Sequence, residues 1–359
     1  MSESWRVIDT GLRPAAQNIA LNRALLEARQ AEEIPSTLRF LRFTPSALLG
    51  AHQSAEQEIN LDYCQAHNIA IQRRITGGGA VYTNETQLDW ELYLHRRDLG
   101  SADMRAIAKR VCHAAATAVS ALGVDARFRP HNEIEVGGRK IFSSGGVFGG
   151  NAILYQGTLL IDLDVEEILR VLRIPVGKLS DAAITAARRR VSCLKDLLGH
   201  RADTVLIRRY LTEAFESEFK VEFQEADLTL TEHARYRAAL AEIDTRDWAD
   251  LVKRPASDMP ICEAVHKFPG GMLGVSITYD RPGHRLKQVW FSGDMEVSPQ
   301  RSVADLEAAL SDTSVESVER NVRMFFAGRR VDMPLLTPDD FIAVIRLAAK
   351  QPIVAPSRA

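Results

Sequence analysis

Apolar side chains at Ile19, Leu21, Leu25 and Leu26 recur at close to 3.6 residues within Ala15 to Ala31 and predict a first helix. LRFLRF (38–43) and SALLG (46–50) follow as strand-like runs. INLDYCQAHN (59–68) reads as a short helix feeding IAIQRR (69–74). AVYT (80–83) and LDWELYLH (88–95) alternate apolar with polar positions, as half-buried strands do. The strongest helical signal spans Ser101 to Leu122. Ile107, Val111, Ala115 and Val119 fall on one face there, with Ser101 and Asp103 as cap candidates. Strand-like IEV, GRKIF and ILYQGTLLIDLD come next, then short helices at VEEILRVLR and VSCLKDLL and a longer one from Thr204 to Phe219. Without regular βαβ alternation, this mixture predicts an α+β fold built on a mixed sheet.

A charged helix from Thr231 to Val252 runs into KRPASDMP (253–260), whose prolines and small polar residues mark a boundary. Beyond it, VHKFPGGMLGVSITYD and HRLKQVWFSGD predict paired strands. Helices are expected at Val303–Leu310, Val315–Phe326 and Pro338–Lys350. Two domains are therefore expected, residues 1–253 and a smaller α+β domain, 254–359, with the joint near Arg254 to Pro260.

The chain has 359 residues, and 45 basic against 47 acidic residues leave it with no charge excess to favour nucleic acid or anionic membrane. Cys64, Cys112, Cys193 and Cys262 form no CxxC pair, so neither a zinc site nor a disulfide framework is expected. The amino-terminal residues do not read as an export signal, and no long apolar run suggests a membrane span; cytoplasmic residence is the expectation.

Two segments carry candidate chemistry. In RRITGGGAVYT (73–83) three glycines lack Cβ atoms and could present backbone N–H groups to an anion beside Arg73 and Arg74, although a plain strand-joining turn reads equally well. The spacing matches neither GxxxxGK[ST] nor GxGxxG. In HNEIEVGGRKIFSSGG (131–146), Lys140 precedes Ser143 and Ser144. A lysine is a point charge suited to holding a carboxylate against a phosphate, but also an ordinary surface residue. Asn132 and Glu133 offer oxygen ligands that could order Mg²⁺, or a turn.

Taken in order, RRITGGGAVYT, HNE, GRKIFSS, QGTLLIDLD and ITAARRRVSCLKDLLG resemble the lipoate–protein ligases of the biotin/lipoate ligase superfamily, over most of residues 1–220. AVHKFPGG and FSGDMEVSP resemble the accessory domain that some of them carry at the carboxyl end and reorient between half-reactions. The resemblance implies an enzyme that activates lipoate or octanoate with Mg²⁺ and ATP to an acyl-adenylate and passes the acyl group to a carrier lysine. It implies Lys140 as the catalytic residue. Arg74, Thr76, Gly77, Gly78, Gly79, Val81, Asn132, Ser143, Ser144, Gly157 and Thr158 would line the adenylate pocket, with Asn132 and Glu133 near the metal. A loop of Arg188–Arg190 and Ser192 would cover the adenylate. The implied carriers are glycine-cleavage H protein, E2 lipoyl domains, or a dedicated lipoate-binding protein of bacterial sulfur oxidation.

The chain departs from the family pattern at Thr83-Asn84 (usually His-Asp), Glu133 (Asp), Ser143-Ser144 (Gly-Ser), Gln156 (His), Met272 (Lys) and Met295 (an aromatic). The competing expectations are an ATP-independent octanoyl or lipoyl transferase with Cys193 as nucleophile, and a non-catalytic lipoate-binding protein. The loop typical of biotin ligases is missing.

Overall fold

The computed structural model describes residues 3–100, 103–130, 132–173, 181–252, 254, 259–333 and 335–351. The chain divides into two compact units. One comprises 1–48, 58–75 and 81–249; the other comprises 49–57, 76–80 and 250–359. Of the predicted joint, Arg254 to Pro260, residues Pro255–Asp258 lie outside the described residues.

The first unit carries strands β1 (Glu3–Arg13), β2 (Thr37–Phe43), β3 (Ser46–Leu49), β4 (Ala70–Arg73), β5 (Val81–Thr83), β6 (Gln87–His95), β7 (Ala126–Arg129), β8 (Glu133–Val136), β9 (Arg139–Gly149), β10 (Ala152–Leu160) and β11 (Val221–Glu225). Eight of them form a mixed sheet in the order β11-β1-β2-β6-β10-β9-β8-β7. β1 pairs in parallel with β2 and β11, and the other neighbours are antiparallel. The α+β expectation with a mixed sheet is met.

Sheet faces follow from the period of two. Leu88, Trp90, Leu92 and Leu94 of β6 pack into one core with the helices Met104–Ser120 and Thr204–Phe219. Tyr93 joins Leu154, Ile8 and Leu25 of the helix Ala15–Gln30 in a separate cluster. Helices thus cover both faces, and β6 has no solvated side. LDWELYLH was expected to be half-buried, yet Asp89 and Glu91 are 8% and 3% exposed. Both acids lie inside.

Local chemistry sets most helix ends. Asp103 caps Met104–Ser120 through Arg105 N (3.0 Å), and Asp203 caps Thr204–Phe219 through Val205 N (2.8 Å). The single helix expected over Thr231–Val252 is broken into Leu230–Ile243 and Arg246–Ala249. Thr245 explains the break. Its hydroxyl donates back to Glu242 O (2.7 Å) and accepts from Trp248 N (3.3 Å), which ends one helix and starts another.

The second unit has an antiparallel sheet, β12 (Ile261–Phe268), β13 (Gly271–Asp280), β14 (Arg285–Gly293) and β15 (Thr313–Ser314). Helices Arg301–Leu310, Val318–Ala327 and Pro338–Lys350 share an apolar core with it. Pro269-Gly270 make the two-residue turn between β12 and β13. The helix expected from Val315 opens instead as a 3₁₀ turn, Val315–Ser317, capped by Ser314.

Candidate active site

The register of four strands builds one polar row. Asp89 on β6 faces Thr158 on β10, Thr158 faces Ser143 on β9, and Ser143 faces Glu133 on β8. Leu41 of β2 extends the row beyond Asp89. At the far end Glu133 Oε1 lies 3.1 Å from Lys140 Nζ, and its Oε2 lies 3.3 Å from Arg129 Nε. The shift in register between Ile134 and Glu135 sets Lys140 opposite Glu135, on the strand next to Glu133. The lysine side chain is one-third exposed, so its ammonium is held yet reachable.

The backbone of Lys140 is pinned from a second side. Its N–H donates to Arg190 O (2.8 Å) and its carbonyl accepts from Ser192 N (2.9 Å), an isolated parallel bridge centred on Val191. The arginine loop is therefore stitched to the lysine strand. Arg188 to Arg190 are exposed, Arg188 lying 3.6 Å from Glu166, whereas Ser192 is 2% exposed.

Ser144 and Gly157 occupy the opposite face from Ser143 and Thr158. The Ser144 hydroxyl donates to Asn132 O (2.9 Å) and meets Tyr155 OH at 2.8 Å and Cys112 Sγ at 3.2 Å. The Asn132 side-chain amide donates to Ser144 O. Ser144 is thus an internal brace that straps Asn132 to β9. Gly157 is small because the stacked rings of Trp90 and Phe142 pass beneath it. A Cβ there would overlap the Phe142 ring edge and approach Trp90 Cζ2 to 2.6 Å. Gly157→Ala is expected to destabilise the first unit by roughly 1–3 kcal/mol through overpacking, lowering the thermal midpoint by several degrees.

Arg74 is 7% exposed and donates to Leu48 O (2.9 Å). Its charge also acts on the Asp89 carboxyl. Val81, by contrast, is 37% exposed. Asn132 and Glu133 do not fit a protein-built metal site, because two cations already hold the Glu133 carboxylate. No group of three metal-ligating side chains occurs among the described residues.

Thr76 and Gly77–Gly79 belong to the second unit. There Gly78, at φ +85°, donates its N–H to Met295 O (3.4 Å). A Cβ on Gly77 would overlap that same carbonyl, and one on Gly50 would overlap Gly78 O. Close backbone packing on the Gly293–Met295 turn thus accounts for the small residue at Gly77. Met295 is fully buried, while Met272 remains 37% exposed.

All four cysteines are free and buried. Burial pushes the Cys193 and Cys112 thiols up and the Cys64 thiol to about 11, away from the thiolate form a nucleophile needs.

A model of the lipoyl protein ligase A/B catalytic domain matches residues 14–216. The chain belongs to this family. Lipoate–protein ligase 1 of Staphylococcus aureus is 28% identical over 294 residues, covering 82% of this chain and 85% of its own. Octanoyltransferase LipM of Moorella thermoacetica is 26% identical over 267 residues, 69% of this chain and 98% of its own. Among solved structures, the bipartite lipoate protein ligase of Thermoplasma acidophilum, described with its E2 lipoyl domain, is 25% identical with a TM-score of 0.61. It covers 71% of this chain and 99% of its own. The lipoate complex of P. falciparum LipL1 shares the fold over 96% of this chain and 98% of its own, with a TM-score of 0.73 at 15% identity. Family membership supports an enzyme acting on lipoyl or octanoyl groups, and both activities are represented among these relatives.

Asp89 was missed by sequence reasoning. The signal was present: an acid between Leu88 and Trp90 in a strand that carries a second acid at Glu91. Which face each acid occupies, and that both faces are covered, emerges only from the layers.

Proposed function

We propose that the chain is an ATP-dependent lipoate–protein ligase, with residues 1–253 as its catalytic domain and 254–359 as its accessory domain. The observation that carries this reading is the contrast between Lys140 and the cysteines. A positioned, reachable ammonium ends the polar row, whereas every thiol is buried.

In the first half-reaction the acid's carboxylate oxygen attacks the α-phosphorus of ATP, forming acyl-AMP and releasing pyrophosphate. In the second, the ε-amine of a carrier lysine attacks the acyl carbonyl, forming the amide and releasing AMP and a proton. Lys140 offsets the negative charge gathered where carboxylate and phosphate meet. Glu133 holds the amine in place between turnovers. Ser143 and Thr158 supply hydroxyls along the acyl path, while Arg74, Val81 and Asn132 take up the nucleotide side, and Arg188–Arg190 with Ser192 cover it. Magnesium enters with the ATP phosphates. The acceptor is a lipoyl carrier: H protein, an E2 domain or a dedicated lipoate-binding protein of sulfur oxidation.

The similarity to an octanoyltransferase supports a second reading, acyl transfer from a thioester through a cysteine. Lipoate-dependent exchange between ATP and pyrophosphate separates the two. The ligase gives exchange, and Cys193→Ala is expected to keep it within about threefold. Absence of exchange, together with octanoyl transfer from an acyl carrier protein that Cys193→Ala abolishes, would establish the transferase instead.

A further inference from the structure

Asp89 and Glu91 sit two residues apart on the same face of β6, and their surroundings differ. Glu91 is fully partnered: Arg39 Nη1 at 3.0 Å, Asn22 Nδ2 at 2.5 Å and Tyr93 OH at 2.5 Å. Asp89 receives one hydrogen bond, from Thr158 Oγ1 (2.5 Å) to Oδ1. Its Oδ2 is buried with no hydrogen-bond partner among the described residues. Burying a carboxyl oxygen this way costs stability unless something at the site repays it, and Glu91 shows that this strand face is able to satisfy an acid completely. The buried, unpaired oxygen therefore points to a ligand.

Position names the part of the ligand. Asp89 lies three strand spacings along the row from Glu133, roughly 14 Å. An extended eight-carbon acid spans roughly 9 Å, and a polar contact of about 3 Å at each end brings the total near 15 Å. With the carboxyl group at Lys140, the distal end of the chain arrives at Asp89, beside the apolar side chain of Leu41. We propose that Asp89 is the specificity residue for that distal end, its Oδ2 donating a hydrogen bond to a ring sulfur, so that a dithiolane-ended acid is chosen over an all-carbon acid of equal length. The assignment rests on reading Lys140 as the carboxyl-end residue.

Donation requires a proton. Burial, chiefly, raises the Asp89 carboxyl to about 7. Glu91 raises it further, and the Thr158 hydroxyl, Arg39 and Arg74 pull it down. The acid is thus protonated below neutrality and ionises above it. Sulfur is a weak acceptor, so the expected discrimination is modest.

The experiment compares KM and kcat for lipoate and octanoate in pyrophosphate exchange, for the wild type, Asp89→Leu and Asp89→Asn, from pH 6 to 8.5. Wild type should prefer lipoate at pH 6 and lose that preference through pH 7. In Asp89→Leu the lipoate-to-octanoate ratio of kcat/KM should fall about tenfold, mostly through KM. Asp89→Asn, which retains an N–H donor of similar shape, should preserve the preference at every pH. A ratio unchanged in Asp89→Leu, or a preference in wild type that does not vary with pH, overturns the role of Asp89. Should Asp89→Leu not fold, the flat pH profile expected of Asp89→Asn decides the matter alone. Failure of wild type to activate either acid would instead overturn the ligase reading.

Discussion

Lys140→Ala is expected to slow lipoate-dependent pyrophosphate exchange by roughly 10³-fold, the upper end of the scale for removing one preorganised group that stabilises charge developing in a transition state. Binding of the acid should weaken far less, because the charge Lys140 offsets is greatest while the carboxylate and phosphate are joining. Lys140→Arg should recover little. A guanidinium is longer, planar and forked, and Glu133 would engage it side-on while Arg129 competes for the same carboxylate. Folding should be unaffected: the side chain is one-third exposed, and the bridge to Arg190 and Ser192 uses only its backbone. Steady-state exchange alongside a thermal melt reads both effects. Full exchange activity in Lys140→Ala would remove the lysine from the mechanism.

The legible parts of this protein were those written locally. Lys140 and the glycines stood out because their order along the chain is itself a pattern, and the helix Met104–Ser120 because its apolar face and its Asp103 cap are both local signals. What the sequence hid depends on pairing across distance. β1 and β11 were not anticipated, since Glu3 to Val7 find their parallel partners at Val221 to Glu225, more than two hundred residues away. Sidedness was hidden too. Ser143 and Ser144 look interchangeable in SSGG, yet register sends one to the row with Thr158 and the other inward to Tyr155 and Cys112. The glycine run shows a third limit. Its small residues read equally as backbone laid open to an anion or as a plain strand-joining turn, and at Gly77 the structure supplies another cause in the carbonyl of Met295, whose place in sequence gives no hint of it.

The same strand that carries Asp89 holds the second large effect. Arg39 has no exposed side-chain surface, and its guanidinium meets Glu91, Asn18 Oδ1 at 2.5 Å and Thr10 Oγ1 at 2.9 Å. Glu91 is its only carboxylate partner among the described residues. Removing that partner leaves a cation buried without countercharge, along with the Asn22 amide and the Tyr93 hydroxyl, which burial keeps well above its usual pKa and so protonated as a donor. Glu91→Ala is therefore expected to destabilise the first unit by about 3–5 kcal/mol, with a drop of roughly ten degrees in its melting transition. The partner change sharpens the test. Replacing both charges, as Arg39→Met with Glu91→Leu, should recover at least half of the loss, because an apolar pair of similar volume avoids the desolvation that an unpaired cation suffers. Chemical denaturation of the single and double variants measures the coupling directly. If Glu91→Ala falls within 1 kcal/mol of wild type, the pair does not anchor β6. If it destabilises as expected while the surviving folded protein keeps its lipoate preference at pH 6 and loses it at lower pH than wild type, then Glu91 holds the strand and acts on the acyl end only through the charge it places beside Asp89.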